Sequence, residues 1–195
     1  EESREIFKQR SRLTLGIRNY MNERGWVELE TPVLQRLTGG AAARPFVTHH
    51  NALGRELFLR TATELYLKRA IVGGFEDVYE FGKFFRNEGM STQHNPEFTM
   101  LEFYQAYADY EDLMALTEEM FSHLSREILG GTSLRYQGED IELGGPWRRL
   151  PFFEALSVAV GLSVSPGTDE GKLREATLAA GVAAPKPGAG AVGLW

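Results

Sequence analysis

Cysteine is absent from the 195 residues, so neither a disulfide framework nor a thiolate zinc site can form. That fits a reducing cytosol. No apolar run approaches the ~20 residues a membrane span needs. The start of the chain, Glu1-Glu2-Ser3-Arg4, is charged rather than signal-like. The expectation is a soluble, cytoplasmic protein with no membrane partner. Net positive charge is lacking too: the formal charge is −6, and an RNA partner has to meet a local basic patch or another part of the molecule. No GxxxxGK[ST] element occurs, which excludes a P-loop. Gly188-Ala189-Gly190-Ala191-Val192-Gly193 spells GxGxxG, but a dinucleotide turn needs a strand before it, and Ala184-Pro185-Lys186-Pro187 stands there instead. Internal repeats are also missing.

What is present suits one domain, or most of a larger one: the chain is 43% hydrophobic, enough for a real core. Glu1 to Asn22 reads as a helix, with Ser3 as its cap, Ile6, Leu13, Ile17, Tyr20 and Met21 at helical spacing, and Gly25 after its end. Trp26 to Glu30 alternates as a strand that Thr31-Pro32 stops. Gly39 to Phe46 is a small-residue loop that allows close backbone approach. His49 and His50 are adjacent, so on a strand they point to opposite faces and cannot share a metal; both read as structural. Leu57 to Arg60 reads as a buried strand, and Thr61 or Thr63 as the cap of a helix that Gly73-Gly74 ends. Glu64 opens that helix, where a glutamate ordinarily complements the dipole.

Further on, Asp109 caps a helix that Gly130 closes; its acidic residues, Glu111, Asp112, Glu118 and Glu119, read as a solvated face. Leu134 to Leu143 reads as a hairpin turning at Gly138, and helices follow over 151–160 and 170–180.

The chain is organised around Phe84 to Tyr104. Two strands rich in aromatic and branched residues flank a polar loop from Gly89 to Pro96. Alternation puts Arg86 and Glu88 on one face of the first strand, and Phe98, Met100, Glu102 and Tyr104 on one face of the second. If the faces coincide, an arginine, two carboxylates, a flat ring and a phenol point together. That set suits a phosphate-bearing ligand with a stackable base and positive charge.

The wording Phe84-Phe85-Arg86-Asn87-Glu88-Gly89, then His94-Asn95-Pro96-Glu97-Phe98-Thr99-Met100-Leu101-Glu102 and Tyr104, resembles motif 2 of class II aminoacyl-tRNA synthetases, closest in wording to the lysine branch. Aspartate and asparagine enzymes share its outline. The similarity runs at least from Arg12 to Leu156, and the opening helix, strand and proline resemble motif 1, the family's dimer interface.

The resemblance implies an α+β fold, an antiparallel sheet flanked by helices, forming the class II catalytic core but incomplete at its C-terminal side. The implied organisation is a partial catalytic domain over 1–180, with the dimerisation element at 1–35 and the motif 2 hairpin at 78–107. A Gly/Ala/Pro-rich loop or linker follows at 181–195. The implied activity of the parent protein is ATP-dependent activation of L-lysine to lysyl-adenylate and transfer to tRNA(Lys), by a homodimer. Arg86 would bridge the substrate carboxylate and the α-phosphate. Phe98 would stack on adenine, Glu88 accept from its exocyclic amine, and His94 and Asn95 lie near the phosphates and ribose. Gly40 and Glu64 would hold the α-ammonium of lysine, and Glu102 with Tyr104 its ε-ammonium. Magnesium would arrive with ATP, its protein ligands lying beyond residue 195.

The family's third motif, GxGxGxDR, does not occur among these 195 residues, nor does an anticodon-binding barrel. Gln93 stands where an arginine is common. These departures suggest a fragment from the middle of a longer protein, weak or inactive alone. Two alternatives stay open: a stand-alone paralogue that aminoacylates a protein lysine, and a non-catalytic binding or dimerisation module.

Overall fold

The structure is a computed structural model that describes residues 2–182. The linker expected at 181–195 and the GxGxxG spelling within it fall, past Val182, outside the described residues. The chain forms two compact units, 1–145 and 146 onward.

The first unit opens with helix α1 (Glu2–Glu23). Ser3 lies inside it and so cannot cap it, since a cap precedes the first helical residue. Gly25, at φ +83°, turns the chain out of the helix. Strand β1 (Val27–Glu28) is shorter than the alternation suggested. Beyond it Leu29 N–H still bonds the Tyr79 carbonyl at 2.8 Å, but Thr31 turns to donate to Glu80 and Pro32 has no donor to give. Strands β2 (Leu34–Gln35), β3 (Val47–His50) and β4 (Arg55–Leu59) form an antiparallel sheet in the order β2–β4–β3. His50 Nδ1 accepts from Leu53 N–H and so caps the short turn Asn51–Leu53, the structural role expected of it.

Helix α2 (Glu64–Val72) follows, and then β5 (Asp77–Phe85) and β6 (Glu97–Gln105) pair antiparallel over nine rungs, with β1 parallel on the other edge of β5. Helix α3 (Tyr110–Leu129) is capped as expected: Asp109 accepts from Glu111 and Asp112 N–H, and Asp112 returns a bond to Asp109 N–H. The hairpin β7 (Ser133–Tyr136) and β8 (Glu139–Glu142) turns at Gln137-Gly138, both at positive φ.

The β5–β6 ladder has two chemically different faces. Tyr79, Leu101 and Phe103, at odd positions, pack with Tyr20, Met21 and Trp26 and with Met120 and Leu124 of α3 to form the core. Helices α1 and α3 thus cover the odd face, leaving the even face to α2 and to Arg60, which follows β4. The second unit carries α4 (Phe152–Val160) and α5 (Glu170–Ala179), packed about Val164 and Leu173. The architecture is α+β, antiparallel except for the β1–β5 pair. Among the described residues no helix is long and apolar enough to cross a membrane.

Candidate functional site

The register of the hairpin decides which side chains meet. Val78 faces Tyr104, Glu80 faces Glu102, Gly82 faces Met100 and Phe84 faces Phe98. Arg86 N–H bonds the Pro96 carbonyl at 2.9 Å, which carries the ladder one step past β5 and keeps Arg86 in the even register. Glu88 has left the strand. The loop before β3 holds it instead: Arg44 N–H donates to its Oε1 at 3.2 Å, and Asn87 N–H donates to the Arg44 carbonyl at 2.7 Å.

At this end of the face Arg86, Glu88, Gly89, Gln93, His94, Asn95 and Phe98 bound a cleft of about 250 Å³. The Phe98 ring lies 6.2 Å from that of Phe84, nearly parallel to it, and the Arg86 guanidinium sits 5.2 Å from the Phe98 centroid. Arg86 Nε is buried without a hydrogen-bond partner, an omission worth roughly 1–3 kcal/mol unless something else fills it. In the loop, Ser91 and His94 exchange backbone bonds and pair Oγ with Nδ1 at 2.8 Å, leaving Nε2 as the ring's outward nitrogen.

Toward the other end, four residues on (about 13 Å along the strand), stands Glu102. Its Oε2 accepts from Thr63 N–H at 3.0 Å and Thr63 Oγ1–H at 2.9 Å, and its Oε1 from Tyr104 Oη–H at 2.8 Å. Burial first, then the hydrogen bond to the Glu102 carboxylate, hold the Tyr104 phenol far above its ordinary pKa. Glu64, at the start of α2, pairs with Lys68 one turn on, whose ammonium lies 5.7 Å from the Tyr104 ring centroid. Gly40 backs onto this helix at φ +81°, where a Cβ would come within 2.8 Å of Glu64 Cβ and 3.2 Å of Ala62 Cβ. Glycine is needed there twice over, for its backbone angle and for space.

Gly40, Glu64, Glu102 and Tyr104 therefore gather at one place, and Arg86, Glu88, His94, Asn95 and Phe98 at another, on the same side of the sheet. The second group lines the 250 Å³ cleft with Gly89 and Gln93, and none of the first group does.

Between them lies a buried assembly that sequence reasoning missed. The Arg60 side chain pairs with Glu80, both 3% exposed. Arg60 Nε also donates to the Lys83 carbonyl at 2.9 Å and Nη1 to the Thr31 carbonyl at 3.1 Å, and the guanidinium stacks 4.7 Å from the Phe84 centroid. The space it occupies is the missing side chain of Gly82. A lone glycine inside an apolar strand was the available signal of such an approach. Thr63 was missed differently. It precedes α2 where a cap belongs but makes no cap bond, because its hydroxyl is committed to Glu102. Arg44 and Lys68 carried no signal on their own.

A family model described as tRNA synthetases class II (D, K and N) matches residues 1–180. The lysine–tRNA ligase of Synechococcus sp. (strain CC9902) is 54% identical over 184 residues, covering 94% of this chain and 37% of that protein. That of Pelotomaculum thermopropionicum is 57% identical over 161 residues, 83% of this chain and 32% of the other. That of Chloroflexus aurantiacus is 53% identical over 181 residues, 93% and 37% respectively. The chain spans about a third of the length of these curated relatives.

Proposed function

Because the chain belongs to the class II tRNA synthetases (D, K and N), we propose that it is the part of a lysine–tRNA ligase that binds ATP and L-lysine and joins them as lysyl-adenylate. The full-length protein then transfers the lysyl group to tRNA(Lys). The observation that carries this reading is Glu102: a half-buried carboxylate, fixed by three donors, yet in no ion pair among the described residues. Its cross-strand neighbour Glu80 is neutralised by Arg60. Glu102 is left holding a charge that the ε-ammonium of a lysine would satisfy.

The chemistry asks for little acid–base work. The substrate carboxylate, ionised at neutral pH, attacks the α-phosphorus; an O–P bond forms as the bond to pyrophosphate breaks. The site must align these groups and neutralise phosphate charge. Arg86, fork-shaped and with an unpartnered Nε, would bridge the carboxylate and the α-phosphate. Phe98 would carry the adenine ring, and Glu88 accept from its exocyclic amine. His94 and Asn95 would reach the phosphates and ribose. Glu64 and the Gly40 carbonyl would take the α-ammonium, Lys68 giving up Glu64 as they do so. Glu102 and Tyr104 would form the floor for the side chain.

Magnesium is expected with the nucleotide. Among the described residues no group of three or more His, Asp or Glu side chains comes together to hold a metal.

We assign a second copy of the chain to α1, whose Ile6, Phe7, Leu13 and Leu15 are exposed. An apolar groove of about 510 Å³, bounded by Ile6, Leu13, Phe121 and Leu129, runs beside them. Working on ATP, lysine and tRNA, the protein belongs in the cytoplasm.

Arg86→Ala tests the assignment. In the full-length protein it should abolish lysine-dependent ATP–pyrophosphate exchange while leaving the circular dichroism spectrum unchanged. Native exchange in that variant would refute the role.

A further inference from the structure

The hydrogen bonds on Glu102 do more than hold it still. A carboxylate offers about four lone-pair sites. Three are occupied: both on Oε2, by Thr63 N–H and Thr63 Oγ1–H, and one on Oε1, by Tyr104 Oη–H. One acceptor site remains, on Oε1. An ammonium is a compact point charge that one strong contact satisfies, whereas a guanidinium binds a carboxylate through its fork, one N–H to each oxygen. With Oε2 saturated, the fork has nowhere to put its second tine.

Thr63 makes this arrangement at a local cost. It is fully buried and stands immediately before α2, where a threonine normally bonds the first-turn N–H groups, and it makes no such bond. Forgoing a cap destabilises a helix, and rules of local structure are broken in this way where function demands it. The backbone N–H of Thr63 turns to the same oxygen as the hydroxyl, so one donor of the pair is fixed by the turn and the other by a fully buried side chain.

We propose that Thr63 is a specificity-determining residue: by filling Oε2 of Glu102 it makes the site accept a primary ammonium and refuse a guanidinium. The inference rests on the reading of Glu102 as the partner of the substrate's side-chain cation. Thr63 itself touches no substrate. It acts through the carboxylate, and it selects L-lysine over L-arginine.

The test is ATP–pyrophosphate exchange by the full-length protein, with L-arginine as a competitor of L-lysine. The quantity read is the arginine inhibition constant divided by the lysine KM. Thr63→Val keeps the shape and removes the hydroxyl; it should lower that ratio about tenfold or more, the worth of a hydrogen bond to a charged group, and leave the KM for ATP unchanged. Thr63→Ser restores the hydroxyl and should bring the ratio back to within about twofold of native, which a merely structural role for the methyl would not do. A ratio within about threefold of native in Thr63→Val overturns the inference. Glu102→Gln separates the two levels. If it leaves the lysine KM untouched, the floor of the lysine site is wrong; if it raises that KM while Thr63→Val leaves the ratio alone, only the role of Thr63 fails.

Discussion

Gly82→Ala adds one methyl group at the most crowded point of the hairpin. A Cβ built there overlaps Arg60 Nη2, comes within 3.2 Å of Arg60 Cζ and lies 3.5 Å from Glu80 Oε1. Ordinary contact begins near 3.4 Å, so the guanidinium has to retreat. It is not free to do so: Nε is tied to the Lys83 carbonyl, Nη1 to Thr31, and the whole group is 3% exposed. Overpacking of this kind costs about 1–3 kcal/mol, and a buried pair that loses a partner costs about 3–5 kcal/mol. A partial retreat falls between them, so a loss of about 2–4 kcal/mol is expected. For a unit of this size that is a fall in Tm of about 5–15 °C. Thermal unfolding followed by circular dichroism at one scan rate reads it directly. Gly89→Ala is the control, since nothing lies within 4 Å of its Cβ position and its backbone angle is ordinary; it should move stability by less than about 0.5 kcal/mol. A Gly82→Ala protein no less stable than Gly89→Ala would refute the claim that Arg60 needs that space. The displaced guanidinium would also disturb Phe84 and, through it, Phe98, so the KM for ATP should rise in the same variant.

Other outcomes follow from the core and the caps. Tyr20 and Tyr79 are both pushed up to about 12 from 10.0, mainly by burial, with Glu119 and Glu28 respectively adding to it. Above pH 10 the unfolded chain surrenders these protons while the folded one keeps them, so stability should fall as pH rises through this window, by on the order of 1 kcal/mol per tyrosine per pH unit. A Tyr20→Phe, Tyr79→Phe protein should show a shallower alkaline decline in urea unfolding, and an identical slope would count against the burial argument. Asp109→Ala removes the acceptor of two first-turn N–H groups, at 2.8 and 3.3 Å. It should cost about 1 kcal/mol in the same experiment; no measurable change would show that the cap is redundant.

Much of the molecule was legible because local rules and tertiary structure agree. Asp109 and Gly130 bracket α3 as their chemistry requires, Gly138 turns the later hairpin, and the alternation of Phe98, Met100, Glu102 and Tyr104 survives intact in β6. Elsewhere a long-range partner outbid a local preference. Thr63 abandoned its cap for a carboxylate 39 residues away. Thr31 ended β1 early by turning to Glu80, 49 residues on. Glu88 reads as a strand residue in sequence, but Arg44 draws it into a loop. Arg60, just past the end of β4, and Glu80 on β5 are 20 residues apart, so no pattern within either stretch reveals the pair. Only Gly82 hinted that something large had to pass.

The identity of the amino acid is where the proposed function stands or falls. ATP–pyrophosphate exchange by the full-length protein should be measured with L-lysine, L-aspartate and L-asparagine, the three substrates that the family description covers. A carboxylate floor built from Glu102 and Tyr104 calls for exchange with lysine and background rates with the other two. Exchange with aspartate or asparagine at a rate equal to that with lysine, or none with lysine, would contradict it.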